Sequence, residues 1–349
     1  KMEKWVVMAK KADFQEISRE FGIDQVVARL IRNRDVEGKE NIRSYLYGTL
    51  EELPSPWLMK DMKKAAEILS AKINAGAKIR IIGDYDIDGV TATYILLTGL
   101  KRLGADVDTY IPDRIKDGYG LHSQLIEKAA IDGVDTIVTC DNGIAASQEI
   151  AQAKKGGMTV IVTDHHEIPY QDTEQGRVWI IPQADAVINP KQPGCTYPNK
   201  NICGAVVAWK LIWSLYETYG IDPNEILEFS EAAAVATVGD VMDLQGENRI
   251  IVKEGLKRLP QTKNQGFRAL IEARRKNYGL PCRICPGALH QCQWKTGYGI
   301  QSVITSLHKR VGSGCERSRR PGSAEPEPKG NDRRRKRESN RNDRTHRTL

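Results

Sequence analysis

Between Lys78 and Asp164 the chain alternates short β-branched runs with longer amphipathic stretches. KIRII, VDTYI, DTIVTCD and MTVIVTD have the length and composition of strands, while TATYILLTGLKRLG, LHSQLIEKAA and AASQEIAQAKKG place apolar residues three and four apart. Apolar strands alternating with helices predict a parallel sheet covered on both faces, an α/β fold. Ligands of such sheets bind at the carboxyl ends of the strands. Ahead of this region, residues 1–75 read as an N-terminal helical segment: DFQEISREFGIDQVVARLIRN and MKDMKKAAEILSAKI keep the helical period on either side of Pro54-Ser55-Pro56. After MTVIVTD come an expected loop from Glu167 to Asp185, a short strand AVINP and the connection KQPGCTYPNKNICG. Helices follow: GAVVAWKLIWSLYETYG, NEILEFSEAAAVATVGDV, VKEGLKRL and GFRALIEARRK. The pattern divides the chain into a helical segment at 1–75, an α/β domain at 76–245, connector helices at 246–278 and a tail at 279–349. The tail has no sustained apolar period and the composition of a disordered segment.

Composition adds little until charge is mapped along the chain. The 349 residues leave room for two or three domains. No run of about 18 apolar residues occurs and the first residues carry too short an apolar stretch for a signal peptide, so the expected setting is cytoplasmic, with no membrane. Seven cysteines, an odd number at irregular spacing, read as thiols in a reducing compartment. Of the 52 Lys and Arg, 16 lie in residues 282–349 against 6 Asp and Glu; the remaining 36 face 39 acidic residues. The net +7 therefore belongs to the tail, and any polyanion site in the body must be a local groove.

The candidate chemistry sits at the strand ends. Asp84, Asp141 and Asp164 each terminate a predicted strand, and Asp86 and Asp88 follow Asp84 at spacing two, which in an extended segment turns all three carboxylates to one side. Tandem His165 and His166 follow Asp164, and Asp240 ends an apolar helix. Taken singly, Asp88 or Asp164 reads as a helix cap, and Asp240 as a solvated terminus. Taken together, aspartate oxygens with one or two imidazoles suit Mn²⁺ or Mg²⁺. Two such ions about 4 Å apart clamp the oxygens of a phosphoryl displacement.

The segments GDYDIDG, TCDNG, TDHHE and TVGDV, in this order, resemble the four motifs of the DHH phosphoesterases, and IPDRIKDGYGLH, VINPKQPGCTYPNKNICGAVVAWKL and GENR resemble its RecJ-type branch. The likeness runs from about residue 20 to 280. It implies a parallel-sheet DHH domain with 5′-to-3′ exonuclease activity on single-stranded DNA in repair and recombination, alongside replication and repair proteins. It further implies two ions, one held by Asp84 and Asp86, the other by Asp88, His165 and Asp240, with Asp141 bridging. Asp164 would orient the histidines and His166 would face the scissile phosphate. Arg114, Tyr119 and Lys200, in RecJ-like loops, are candidate substrate contacts.

Beyond Tyr278 the likeness ends. The family continues with a second, substrate-binding domain containing a segment like GPCINASGRLDTA. HQCQWKTGYG, residues 290–299, is compatible with codons whose next frame reads Ile-Asn-Ala-Ser-Gly-Arg-Leu-Asp-Thr, so residues 279–349 read as an out-of-frame tail. On that reading Cys282, Cys285, His290 and Cys292 are not a zinc site, and activity is expected to be impaired. Two other functions compete: a DHH phosphodiesterase for short oligonucleotides or cyclic dinucleotides, and a non-catalytic DHH scaffold. The first typically lacks the helical start and NPKQPG connection; the second loses the metal ligands retained here.

Overall fold

The computed structural model describes residues 10–112 and 120–278, with side chains as far as residue 272. The tail, with its expected shifted frame and its cysteines, lies outside the described residues, as do Arg114 and Tyr119.

Three short helices open the described chain, α1 (Phe14–Phe21), α2 (Gln25–Asn33) and α3 (Lys39–Tyr47), the first two started by carboxylate caps from Asp13 and Asp24. They enclose a small core of Ile31, Val36, Ile42 and Tyr45. α4 (Met62–Asn74) then leads into β1 (Ile79–Ile82), α5 (Ile87–Arg102), β2 (Val107–Tyr110), α6 (Ser123–Ile131), β3 (Thr136–Cys140), α7 (Ser147–Lys155) and β4 (Thr159–Thr163). A hairpin of β5 (Tyr170–Thr173) and β6 (Gly176–Trp179) precedes β7 (Ala186–Ile188). The rest is helical: α8 (Gly204–Tyr219), α9 (Pro223–Leu227), α10 (Ser230–Gly239), α11 (Gly246–Arg258) and α12 (Gln265–Tyr278).

The main sheet has the order β2-β1-β3-β4-β7 with every pairing parallel. Strand alternation sends successive side chains to opposite faces. Ile79, Ile81, Val138, Cys140 and Ile161 join the core under α4, α5, α8 and α10, while Ile82, Ile137, Val160 and Val162 join the core under α6 and α7. Both faces are thus covered, as the sequence pattern requires. Each fully buried isoleucine contributes roughly 1.5–3 kcal/mol, so the strands are held from both sides and their carboxyl ends are fixed in place.

Three expectations need correction. The stretch from Glu167 to Asp185 contains the β5–β6 hairpin, invisible to an apolar-pattern search because all eight of its strand residues are exposed. The single helix expected over NEILEFSEAAAVATVGDV breaks between α9 and α10, where the Ser230 hydroxyl donates to the Leu227 carbonyl at 2.6 Å. The extended run expected through Asp84, Asp86 and Asp88 stops at Ile82, and Asp88 lies in the first turn of α5. Among the described residues no helix is long and apolar enough to cross a membrane.

Candidate metal centre

The centre is assembled where β1, β3 and β4 stop. After β1, Asp86 caps α5 by accepting the Gly89 amide at 2.9 Å, which turns the chain sharply and brings Asp84 and Asp88 inward. The turn depends on Gly89: a Cβ there would stand 2.6 Å from the Asp84 Cβ and 2.7 Å from its backbone. Asp88 is fully buried and reaches the start of α8, its two oxygens accepting the amides of Gly204 at 2.6 Å and Ala205 at 2.8 Å. A carboxylate there is favoured by the positive end of the helix dipole.

After β3, Asp141 takes a left-handed conformation, φ 60°, unusual for a residue with a side chain. Asn142 holds that bend, donating to the carbonyls of Ile82 at 3.1 Å and Cys140 at 2.9 Å, and so ties the ends of β1 and β3 together. Gly204 leaves room for Asp141, since a Cβ would meet its Oδ1 at 2.7 Å. After β4, buried Asp164 accepts the amides of Ile144 (2.9 Å), His165 (2.7 Å) and His166 (3.1 Å). Its Oδ1 also lies 2.7 Å from His166 Nδ1, fixing that ring.

These turns bring the candidate ligands together. His165 Nε2 lies 3.1 Å from Asp141 Oδ1, 3.6 Å from Asp88 Oδ2 and 3.8 Å from Asp240 Oδ2. Within 4.8 Å of one another stand one donor atom each from Asp84, Asp86 and Asp141; from Asp88, His165 and Asp240; and from Asp141, His165 and His166. Asp141 and His165 are each shared by two of these groups. No Lys or Arg among the described residues forms an ion pair with these carboxylates.

The electrostatics express that imbalance. Burial pushes the carboxyls of Asp84, Asp88 and Asp240 up to about 6, and neighbouring carboxylates add to the shift. Burial, then the charges of Asp88 and Asp86, raises Asp141 well above the ordinary range. Burial lowers His165, keeping it neutral with a lone pair to give. Asp164 is the exception: burial pushes it up, yet the hydrogen bond and charge of His166 with the backbone amides outweigh burial and hold it low. His166 is correspondingly raised by its bond to Asp164. Asp84 Oδ1 and Asp141 Oδ1 are buried with no hydrogen-bond partner. An oxygen-rich donor set with a neutral imidazole and orphaned carboxylate oxygens fits hard divalent cations such as Mn²⁺ or Mg²⁺.

All eight core candidates of the sequence therefore meet here, Asp164 and His166 at the rim of the ligand set. Lys200 is engaged elsewhere, its Nζ donating to the Cys195 carbonyl at 2.8 Å within the connection before α8. Sequence reasoning missed Asn142, Gly204 and Lys191. The first two lie inside TCDNG and NICGAVVAWKL, where Asn142 braces neighbouring backbone carbonyls and Gly204 leaves space. Lys191, 2.8 Å from Glu167, bears electrostatically on both His165 and Asp240.

Residues 78–238 match the family described as "DHH family, N-terminal domain". The chain is similar to the single-stranded-DNA-specific exonuclease RecJ of Bacillus subtilis, 39% identical over 270 residues, covering 77% of this chain and 32% of that protein. It is also similar to the RecJ of Thermus thermophilus, 39% identical over 215 residues, covering 62% of this chain and 30% of the relative. Among solved structures, exonuclease RecJ bound to manganese matches with TM-score 0.56 at 34% identity, over 72% of this chain and 65% of that one. The Mn²⁺ complex of Thermus thermophilus RecJ matches with TM-score 0.61 at 30% identity, over 85% and 43%. The chain thus spans about a third of the length of these curated relatives. With the sheet order, the strand-end carboxylates and these likenesses in agreement, residues 78–238 form a DHH-family N-terminal domain, similar to that of RecJ proteins.

Proposed function

We propose that this chain hydrolyses phosphodiester bonds in single-stranded DNA from the 5′ end, using two divalent cations, Mn²⁺ or Mg²⁺. The observation that carries the reading is the pair of ligand triplets, Asp84/Asp86/Asp141 and Asp88/His165/Asp240, with Asp141 placed between them and 3.1 Å from His165. Asp84 and Asp86 would hold one ion, Asp88, His165 and Asp240 the other, and Asp141 both. Bound ions would supply Lewis acidity on both sides of the phosphate and lower the pKa of an attacking water.

The chain's own residues do the rest. Asp164 anchors His166 through Nδ1 and favours its protonated form, so that the imidazolium can donate to a phosphate oxygen or to the leaving oxygen. The amides of Gly204 and Ala205 hold Asp88 rigid, and Asn142 holds the bend that presents Asp141. The named activity of the RecJ relatives supports the substrate class. We assign residues 76–245 to catalysis and 1–75 and 246–278 to its support; a cytoplasmic setting among replication and repair proteins accords with the same reading.

The test is a single-stranded oligonucleotide labelled at its 3′ end and incubated with the chain and Mn²⁺. Stepwise shortening from the 5′ end, stopped by EDTA and by Asp141→Ala, is expected. A strand left intact by the wild-type chain with Mn²⁺ present, at incubation long enough to register the impaired rate expected with an out-of-frame tail, contradicts the proposal.

A further inference from the structure

The β5–β6 hairpin leaves the main sheet four residues after His166, and its strands are exposed on both faces. Two-stranded hairpins are marginal by themselves, and large apolar side chains on them usually turn toward a core. Here, four of the twelve exposed large apolar side chains among the described residues fall in this one excursion: Tyr170, Val178, Trp179 and Ile180. The register explains what they build. Tyr170 pairs with Trp179 and Asp172 with Arg177, so all four share one face. On that face the Tyr170 and Trp179 rings meet edge to face at 5.6 Å, and the Arg177 guanidinium lies 3.7 Å from the Tyr170 centroid and 5.6 Å from that of Trp179. Tyr170 remains 48% exposed, Trp179 40%, and the Arg177 side chain 47%.

Three planar groups, ordered against one another yet half open to solvent, form a surface to which another planar group can add. Asp172, 3.2 Å from Arg177, holds the guanidinium in place. Four residues span at most roughly 14 Å of extended chain, so the Tyr170 end of the platform stands within that reach of His166. Lys191, paired at 2.8 Å with Glu167 three residues before the hairpin and close enough to act on His165 and Asp240, adds a cation beside the centre that a phosphate backbone can use.

We propose that this face of the hairpin is a base-stacking platform that holds the single strand next to the metal centre. The inference rests on the single-strand hydrolase reading above and adds to it the place where the strand is gripped. Stacking is sequence-tolerant because every base has a π face, and so serves an enzyme that must move along any sequence.

The test compares the wild-type chain with Tyr170→Thr/Trp179→Thr, which removes both rings but keeps β-branched residues suited to a strand. The probes are a phosphorothioate-linked single-stranded oligonucleotide with Mn²⁺ and its abasic counterpart, read by fluorescence anisotropy; hydrolysis of thymidine 5′-p-nitrophenyl phosphate reports the metal centre alone. Loss of the rings should weaken binding to the base-bearing strand by about tenfold or more. The abasic strand should bind wild type and variant alike, Tyr170→Phe/Trp179→Phe should restore affinity, and the small ester should be cleaved at the same rate throughout. Equal affinity of wild type and the threonine variant for the base-bearing strand overturns the platform, as does an equal loss on the abasic strand. A wild-type chain that neither binds the oligonucleotide nor cleaves the ester overturns the hydrolase reading, and the platform with it.

Discussion

Strand β1 carries a buried charge near each end, and the two are treated in opposite ways. Arg80, only 8% exposed, donates to both oxygens of Asp108 at 2.7 Å and to Asp132 at 2.8 Å. Its hydrogen bonds raise the guanidinium's pKa and hold Asp132 below the usual carboxylate range. Asp84, four residues on and 2% exposed, pairs with no Lys or Arg among the described residues, its Oδ1 is buried without a hydrogen-bond partner, and burial lifts it to about 6. The same sheet therefore supplies a counterion where charge serves structure and withholds one where three strands end together. A buried carboxylate cluster without a counterion is stable only protonated or with a cation that the chain does not contain.

Breaking the open end should have the larger effect on activity. Asp141→Ala should lower hydrolysis about a thousandfold or more, the scale of the Lewis-acid stabilisation lost with it. The metal-free chain should melt no lower, because one member of a mutually repelling set has gone. Near-wild-type rates would refute the bridging role. Asp164→Asn should reduce the rate about 10–100-fold. The lost carboxylate no longer raises His166, so the alkaline limb of the pH–rate profile should move to lower pH; an unmoved limb would separate His166 from proton transfer.

The closed end should respond in stability alone. Arg80→Met removes charge-assisted bonds to two partly solvated carboxylates and should cost about 2 kcal/mol, seen as a lower denaturation midpoint with unchanged Mn²⁺ affinity. The open end should also show itself in stability, as a pH dependence of the metal-free chain. Asp84, Asp88 and Asp240 lose their protons near 6 when folded but near 4 when unfolded, so between these values the native state holds more protons. Their contribution to stability should fall as pH rises from about 4 to 6 and level off above. Saturating Mn²⁺ should reverse the slope, since ions displace those protons.

The sequence revealed the closed and open ends unequally. The sheet was legible because its strands are β-branched and buried on both faces, and the centre because carboxylates recur at strand ends followed by two histidines. Yet Asp84, Asp86 and Asp88 come together by a geometry other than the one their spacing suggested. Their convergence comes from the Asp86 cap and the close approach of Gly89, not from an extended backbone. The Arg80 network was not legible, since its partners lie 28 and 52 residues away and a lone Arg in a strand announces nothing. The hairpin escaped because it buries no face. Asn142 acts by bracing backbone carbonyls and Gly204 by the space it leaves, neither of which a motif's reactive side chains disclose.

The central claim is that the open end is built for two cations, and the most direct measurement is a calorimetric titration of the full chain with Mn²⁺ at pH 7.5 and again at pH 5. The account predicts two ions per chain at pH 7.5, protons released on binding, and weaker binding at pH 5, where the carboxyls hold their protons. It also predicts loss of one of the two ions in Asp84→Asn. A wild-type chain that takes up no Mn²⁺ at pH 7.5, or binds it equally well at both pH values and without Asp84, would contradict it.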